Sequence, residues 1–320
     1  MADVTTMLVD FSAYNLQRDS PDSNCFQKLV DDVYLALTTT GFLYLTNHGI
    51  PPDVINNAFQ QSMAFFALQD EIKMKYTKSD HSNQGYVQTE RESLNPEKRP
   101  GDYKEFYNYV PKIYASETED HLLPDIELPE FKSSMSCLYH KCSELGNRIL
   151  EVMARALKLE DPLLFVKAHQ GIGGSDNDTT IRANWYPPIS DNVQIKPNQI
   201  RCGEHSDYGS ITLLFQDNIE GLQVQCQDGS FVDVPPIEGS IVMNVADIMQ
   251  RWTADKFIST IHRVIMPKTE ELKRSHRQSL AYFSHPDNSF VVKCVDGSDK
   301  YPPITNDVYL KQRFNATYKY

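Results

Sequence analysis

Two rhythms divide the chain. From about residue 22 to 160 apolar positions recur at helical spacing. Phe26, Leu29, Val30, Val33 and Leu37 fall three and four residues apart and define one face of a helix. Pro51 and Pro52 suit the opening turn of a second helix, with Val54, Ile55, Ala58, Phe59 and Phe66 on its buried side. A third helix carries Phe131, Met135, Leu138, Cys142, Leu145, Ile149 and Met153. Between the first two, Gly41-Phe42-Leu43-Tyr44-Leu45-Thr46 reads as a strand. From Thr179 onward the segments shorten and become β-rich. Strands are expected at 180–186, 199–205, 210–216, 221–226, 230–234, 240–244, 260–266, 278–284 and 289–294, with turn pairs such as Asp228-Gly229 and Glu238-Gly239 between them. Asp307 to Tyr318 reads as a closing helix.

Many short strands at regular spacing imply a sandwich or barrel. Helices first and strands after suggest one interwoven unit in which helices brace a β-core. Residues 77–104 and 168–178 are polar and read as long loops. The glycines of the second loop, Gly171, Gly173 and Gly174, form no phosphate loop, because no Gly-Lys-Ser/Thr follows.

Composition narrows the class of function. Lys and Arg total 31 against 43 for Asp and Glu, a formal charge of −12, so the surface as a whole repels phosphate backbones and nucleic acid is not expected as a partner. The six cysteines form no C-x-x-C pair, which removes the zinc-ribbon and thioredoxin-like readings. No apolar stretch approaches bilayer length and the N-terminus lacks a signal-peptide pattern, so a cytoplasmic protein without membrane or obligate protein partners is expected.

The chemistry concentrates in Gly203-Glu204-His205-Ser206-Asp207-Tyr208-Gly209. At a strand end, positions i and i+2 project to one side, so His205 and Asp207 can reach one ion while Ser206 turns away. His262, in Ser259-Thr260-Ile261-His262-Arg263-Val264, supplies a third ligand. Two imidazoles and one carboxylate on one face of an octahedron leave three positions open, as non-haem Fe(II) oxygenases require for cosubstrate and dioxygen. A closed structural zinc site would use four protein ligands. A lone His-x-Asp is usually an incidental surface pair, and His285-Pro286-Asp287 has the same form. No histidine follows His285, so that triplet lacks a downstream partner.

What lifts the first triplet above the second is Arg277-Gln278-Ser279. On a strand Arg277 and Ser279 face the same way, and a guanidinium fork with a serine hydroxyl grips a carboxylate. A single arginine would by default form a surface ion pair. Beside an open iron it suits the distal end of a dicarboxylic cosubstrate, and Tyr186, in Asn184-Trp185-Tyr186-Pro187-Pro188, can add a phenolic donor.

Together these segments resemble the 2-oxoglutarate- and Fe(II)-dependent oxygenases of the isopenicillin N synthase-like type. The resemblance also takes in Gly41 to Pro51, His205-Ser206-Asp207-Tyr208-Gly209-Ser210-Ile211-Thr212-Leu213-Leu214, Trp252-Thr253, and the closing Tyr309-Leu310-x-x-Arg313-Phe314. It implies a mainly β fold with flanking helices, a double-stranded β-helix or distorted jelly-roll. Residues 1–120 would form its N-terminal helix-and-strand region and 121–320 the core. It implies His205, Asp207 and His262 as iron ligands, Arg277 and Ser279 as the carboxylate clamp, and Tyr186 and Asn184 as cosubstrate neighbours. Two positions depart from the family pattern: Trp185 stands where many relatives have tyrosine, and Ala246 where glycine is usual. His48 belongs to the strand-to-helix signature as a structural residue.

The implied reaction oxidises an unactivated C–H bond of a small molecule, an amino acid or secondary metabolite, by hydroxylation, cyclisation or desaturation. It consumes dioxygen and 2-oxoglutarate and releases succinate and CO2, with ascorbate as a candidate reductant. Substrate-contact candidates are Tyr103, Phe106, Tyr107 and Phe283, each of which could equally pack beneath a loop. The alternatives are an Fe(II) oxidase of this fold that does not use 2-oxoglutarate, a non-catalytic small-molecule-binding protein, and a metal-stabilised structural domain.

Overall fold

The computed structural model describes residues 6–79, 83–93, 99–111, 122–190 and 193–317, with side chains through Arg313. The N-terminal part runs β1 (Met7–Asp10), α1 (Phe26–Thr39), β2 (Phe42–Thr46), α2 (Pro52–Phe66), α3 (Asp70–Lys73), β3 (Gly85–Val87) and β4 (Glu105–Tyr109). The long α4 (Phe131–Ala156) and short α5 (Leu164–Lys167) lead into β5 (Thr180–Tyr186), β6 (Cys202–His205), β7 (Ile211–Gln216), β8 (Leu222–Gln225), β9 (Phe231–Asp233) and β10 (Ile241–Val245). After α6 (Asp247–Trp252) come β11 (His262–Val264), α7 (Glu270–Lys273), β12 (Arg277–Ser284), β13 (Val291–Val292), β14 (Ile304–Thr305) and α8 (Asn306–Thr317).

The strands form an eight-stranded sheet in the order β1-β2-β10-β7-β12-β5-β4-β3 and a four-stranded sheet β6-β11-β8-β9. Apart from the parallel β1–β2 pair, the ladders within these two sheets are antiparallel. Alternation of side chains decides what each face of the large sheet meets. Leu43, Leu45, Ile181, Ala183, Leu213, Met243, Leu280 and Tyr282 pack on one side into the core formed with α1, α2 and α4. Phe42, Tyr44, Tyr186 and Val242 point the other way, against Cys202, Leu222, Val224 and Val264 of the small sheet. Two sheets sharing that inner layer, with helices on the outer face, make the jelly-roll.

The helices follow the apolar stripes expected of them. Leu29, Val30, Val33 and Leu37 are buried on α1, and Pro52 opens α2 after Pro51. Phe131, Met135, Leu138, Cys142, Leu145, Ile149 and Met153 are buried along α4. Among the described residues no helix is long and apolar enough to cross a membrane.

Two expectations need correction, and one strand was not foreseen. The 289–294 segment pairs only over Val291–Val292, with β14. The stretch 77–104 is not all loop, since it contains β3, paired to β4; parts of it lie outside the described residues. β4 itself went unread because Glu105 and Asn108 break its apolar alternation. Glu105 is buried on the helix side by an ion pair with Lys73 at 2.9 Å, whereas Asn108 faces the other way into a cavity that His205, Asp207 and His262 also line. Ala246 sits at φ −111°, an ordinary extended conformation, so the missing glycine costs this turn nothing.

Gly41 joins α1 to β2 at φ +69°, and a Cβ there would lie 1.8 Å from the Ile258 carbonyl oxygen. That carbonyl belongs to the segment leading into β11, which is also tied down by Thr260 Oγ1 donating to Thr40 O at 2.6 Å. Gly41→Ala is therefore expected to destabilise the fold by ~2 kcal/mol or more. Denaturant melts check this, and an unchanged midpoint would show that the two segments separate freely.

Candidate active site

His205 ends β6 and His262 begins β11, and the two are direct cross-strand neighbours. Their ring centroids lie 4.2 Å apart. Each imidazole is oriented the same way: His205 Nδ1 lies 2.8 Å from Gly203 O and His262 Nδ1 lies 3.1 Å from Thr260 O. Donation from Nδ1 to a carbonyl leaves both Nε2 lone pairs free for a ligand. Asp207 lies two residues beyond the end of β6. Its Oδ2 accepts from Thr212 Oγ1 at 2.6 Å and Asn244 Nδ2 at 2.8 Å. Its Oδ1 stands 3.7 Å from each Nε2. One donor atom from each of the three side chains lies within 4.8 Å of the other two, a spacing that a single ion can bridge.

The electrostatics favour a cation. Burial pushes the Asp207 carboxyl up, but the two imidazoles and the Thr212 and Asn244 hydrogen bonds together outweigh it and hold the group below the ordinary carboxylate value. Burial, with His205 alongside, lowers His262 to about 4, so its ring is neutral and able to ligate near pH 7. Phe42 packs edge-on against the His262 ring at 5.4 Å between centroids. The two-nitrogen, one-carboxylate set matches Fe(II) with an open face better than a closed zinc site.

Arg277 and Ser279 project from β12 into the same interior, opposite Tyr186 and Asn184 of β5 in the ladder. Arg277 is 1% exposed. Its Nε donates to Ile219 O at 3.1 Å and one terminal nitrogen to Gln216 Oε1 at 2.8 Å. Its other terminal nitrogen, Nη1, is buried without a partner. A buried donor left open beside Ser279 and Tyr186 fits a carboxylate that arrives with a ligand. Burial raises the Tyr186 pKa, which keeps the phenol protonated as a donor.

All seven of these side chains line one cavity of about 820 Å³. Phe106 and Phe283 line it too. Tyr103 and Tyr107 do not; for Tyr107 strand alternation explains it, since Phe106 faces the cavity and its neighbour on β4 must face the helices, whereas Tyr103 lies before the strand. Tyr107 packs against Phe65 and Phe131 and donates to Leu122 O at 2.6 Å; Tyr103 donates to Pro188 O at 3.3 Å. In the second His-x-Asp triplet, Asp287 accepts from Gly171 N and Asn177 Nδ2 at 2.8–3.0 Å, which makes it a loop clasp. His48 is buried and its Nδ1 accepts the Ile50 N–H at 3.1 Å, as a structural residue should.

Sequence reading missed the residues that hold the ligands in place. Thr212 lies in the first metal-binding segment of the resemblance and Asn244 near Ala246, but it is their inward register on β7 and β10 that marks their role. Asp247 links several segments. It accepts from Ser259 Oγ at 2.7 Å and Ser206 Oγ at 3.0 Å, pairs with Arg313 of α8 at 2.8 Å, and its N–H donates to Asp207 O at 2.8 Å. It thus ties both ligand-bearing loops to the closing helix. Asp247→Asn is expected to weaken Fe(II) binding about 10-fold, read by anaerobic metal titration. Unchanged affinity would restrict Asp247 to docking α8.

Comparison with known proteins agrees with this geometry. The sequence model of the 2OG-Fe(II) oxygenase superfamily matches residues 177–286, and that of the non-haem dioxygenase in morphine synthesis N-terminal region matches 8–128. A 2-oxoglutarate-dependent dioxygenase of Aspergillus rugulosus, htyE, is 31% identical over 84% of this chain and 86% of its own. The proline hydroxylase buaE of Petromyces alliaceus is 32% identical, with 84% and 85% covered. The crystal structure of a full-length Neurospora crassa protein in complex with alpha-KG and thymine superposes with a TM-score of 0.86 at 31% identity, covering 98% of this chain and 97% of that one. The chain belongs to the 2OG-Fe(II) oxygenase superfamily and is a non-haem, 2-oxoglutarate-dependent dioxygenase.

Proposed function

We propose that His205, Asp207 and His262 hold the iron, that Arg277, Ser279, Tyr186 and Asn184 seat 2-oxoglutarate, and that the enzyme hydroxylates a small polar ring compound. When bound, Fe(II) with 2-oxoglutarate and dioxygen supplies the oxidising power for C–H hydroxylation, with succinate and CO2 released. The protein's own part is placement. Thr212 and Asn244 fix which Asp207 oxygen faces the ion, and the Gly203 and Thr260 carbonyls fix the imidazoles. Arg277 would hold the far end of the cosubstrate and so restrict the orientation in which it binds.

The observation that carries this reading is the convergence of His205, Asp207 and His262 in the same cavity as the open arm of Arg277. Anaerobic addition of 2-oxoglutarate to the Fe(II)-loaded protein should give a visible metal-to-ligand charge-transfer band. Its absence would count against the reading. Substrate-stimulated succinate release separates it from an oxidase that does not use 2-oxoglutarate.

The substrate class rests on the stretch of the same sheet face that lies beyond the clamp along β5 and β12. Arg182 lies 4.0 Å over the Phe106 ring and 5.6 Å from that of Phe283. Its Nε donates to Asn108 Oδ1 at 2.9 Å and Nη1 to Glu92 Oε1 at 3.2 Å. Asn108 in turn donates to Asn83 at 3.0 Å, and Asn83 to Thr180 at 2.9 Å. Aromatic faces beside a fixed row of amide and carboxylate groups suit a flat or compact ring with its own donors and acceptors. The thymine bound to the Neurospora protein and the proline in the name of the Petromyces relative are both small polar rings. With pyrimidines and cyclic amino acids as a substrate panel, Arg182→Met is expected to raise the KM of the active compound about 10-fold or more while the charge-transfer band persists. Unaltered KM would remove Arg182 from substrate recognition.

A further inference from the structure

We infer that Arg201 is a positioning residue of the cosubstrate pocket, a second buried cation that makes the site select a dicarboxylic 2-oxo acid over a monocarboxylic one. This rests on the reading of Arg277 given above.

Arg201 immediately precedes β6 and is 0% exposed. Its only hydrogen bond among the described residues is a long one, from Nη2 to Ser275 O at 3.4 Å, while Nε and Nη1 are buried without partners. Arg277 shares this condition, with two neutral acceptors and one open nitrogen. The two guanidinium carbons stand 5.8 and 5.0 Å from the Tyr186 ring centroid. Asp217 is the acid nearby, and it spends its oxygens on the Gln278 and Ile219 N–H groups at 2.5 and 3.0 Å. Lys104, the other cation near Tyr186, is paired with Glu92 and Asp102 at 2.8 and 3.2 Å, so two guanidiniums against the remaining carboxylate leave this end of the pocket with surplus positive charge. Burial, with Arg277 alongside, lowers the Arg201 pKa to about 10, which still leaves it a cation at neutral pH.

A buried, unpaired cation is destabilising by several kcal/mol unless something compensates it. A neutral side chain of similar volume would serve packing better. The compensation is supplied by a ligand that brings an anion, and the clamp beside it is built for the distal carboxylate of the cosubstrate. Arg277, Ser279 and Tyr186 face that carboxylate. Arg201 stands behind Tyr186 and acts through it, steadying the ring and adding charge across a low-dielectric layer where screening is weak.

The test compares 2-oxoglutarate with 2-oxopentanoate, which has the same carbon chain without the distal carboxylate. Both are titrated anaerobically into Fe(II)-loaded protein by calorimetry. Arg201→Met is expected to weaken 2-oxoglutarate about 10-fold and leave 2-oxopentanoate within about twofold, with Arg201→Lys recovering most of the loss. Asp217→Asn, which deepens the positive surplus and leaves both arginines in place, should tighten 2-oxoglutarate alone; it provides the test if Arg201→Met does not fold. Equal weakening of both acids by Arg201→Met, or a wild-type preference that survives it intact, overturns the inference alone. Equal wild-type affinity for the two acids overturns both the inference and the reading of Arg277.

Discussion

Asp207→Ala is expected to lower substrate-dependent succinate release by at least about 10³-fold and to abolish the anaerobic charge-transfer band. The carboxylate contributes the anionic member of the ligand set, and without it two imidazoles face a divalent ion alone. The loss extends beyond one bond. Thr212 Oγ1 and Asn244 Nδ2 both donate to Asp207 Oδ2, so the substitution strands two buried donors beside the vacant ligand position. His262→Ala should behave likewise, because no other imidazole within the cavity stands across from His205 in the ladder. The control is Asp287→Ala in the second His-x-Asp triplet. Asp287 clasps Gly171 and Asn177, so its loss should lower thermal stability while leaving the band intact. A band that survives Asp207→Ala, or vanishes equally in Asp287→Ala, would sink the assignment of the metal centre.

That the two triplets can be told apart illustrates what the chain discloses on its own. Both have one form, and only order separates them: His205-x-Asp207 is followed by His262 and then by Arg277-x-Ser279. That Arg277 and Ser279 share a face was legible from their spacing on a strand, and β12 extends that face to Phe283. The long helices α1, α2 and α4 were legible because their apolar stripes are uninterrupted over several turns, whereas the one-turn helices such as α3, α5 and α7 are too short to show a stripe. β4 was not, because its pattern is set by partners far away. Glu105 is tolerated on the helix side by Lys73, and Asn108 on the cavity side by Arg182 and Asn83. Without those partners in view, the strand looks like polar loop, and Tyr107 within it and Tyr103 before it look like cavity residues. Asn244, Asp247 and Arg201 were hidden for a related reason. Each works through groups brought close only by sheet register or by α8, and a single chain does not print register.

Arg277→Leu is expected to raise the KM for 2-oxoglutarate by about 100-fold with a smaller effect on kcat at saturation. Losing one partner of a buried, charge-assisted pair costs on the order of 2–5 kcal/mol, and about 2.7 kcal/mol corresponds to the expected change. The loss should fall on binding, since the guanidinium grips the end of the cosubstrate remote from the metal. Leucine keeps much of the apolar volume but leaves Gln216 Oε1 and the Ile219 carbonyl without their donors, so some loss of thermal stability accompanies it. Arg277→Lys separates charge from geometry. An ammonium keeps the cation but cannot span Gln216, Ile219 and a carboxylate with one planar fork, so its KM should fall between wild type and the leucine variant. The leucine variant should also lose its preference for 2-oxoglutarate over 2-oxopentanoate, because the anion it would bury no longer has a partner. The ligand set is untouched by either substitution, and Fe(II) affinity measured without cosubstrate should remain as in wild type. An unchanged KM in Arg277→Leu would mean that the distal carboxylate lies elsewhere, and the open nitrogen of Arg277 would then need another anion to answer it.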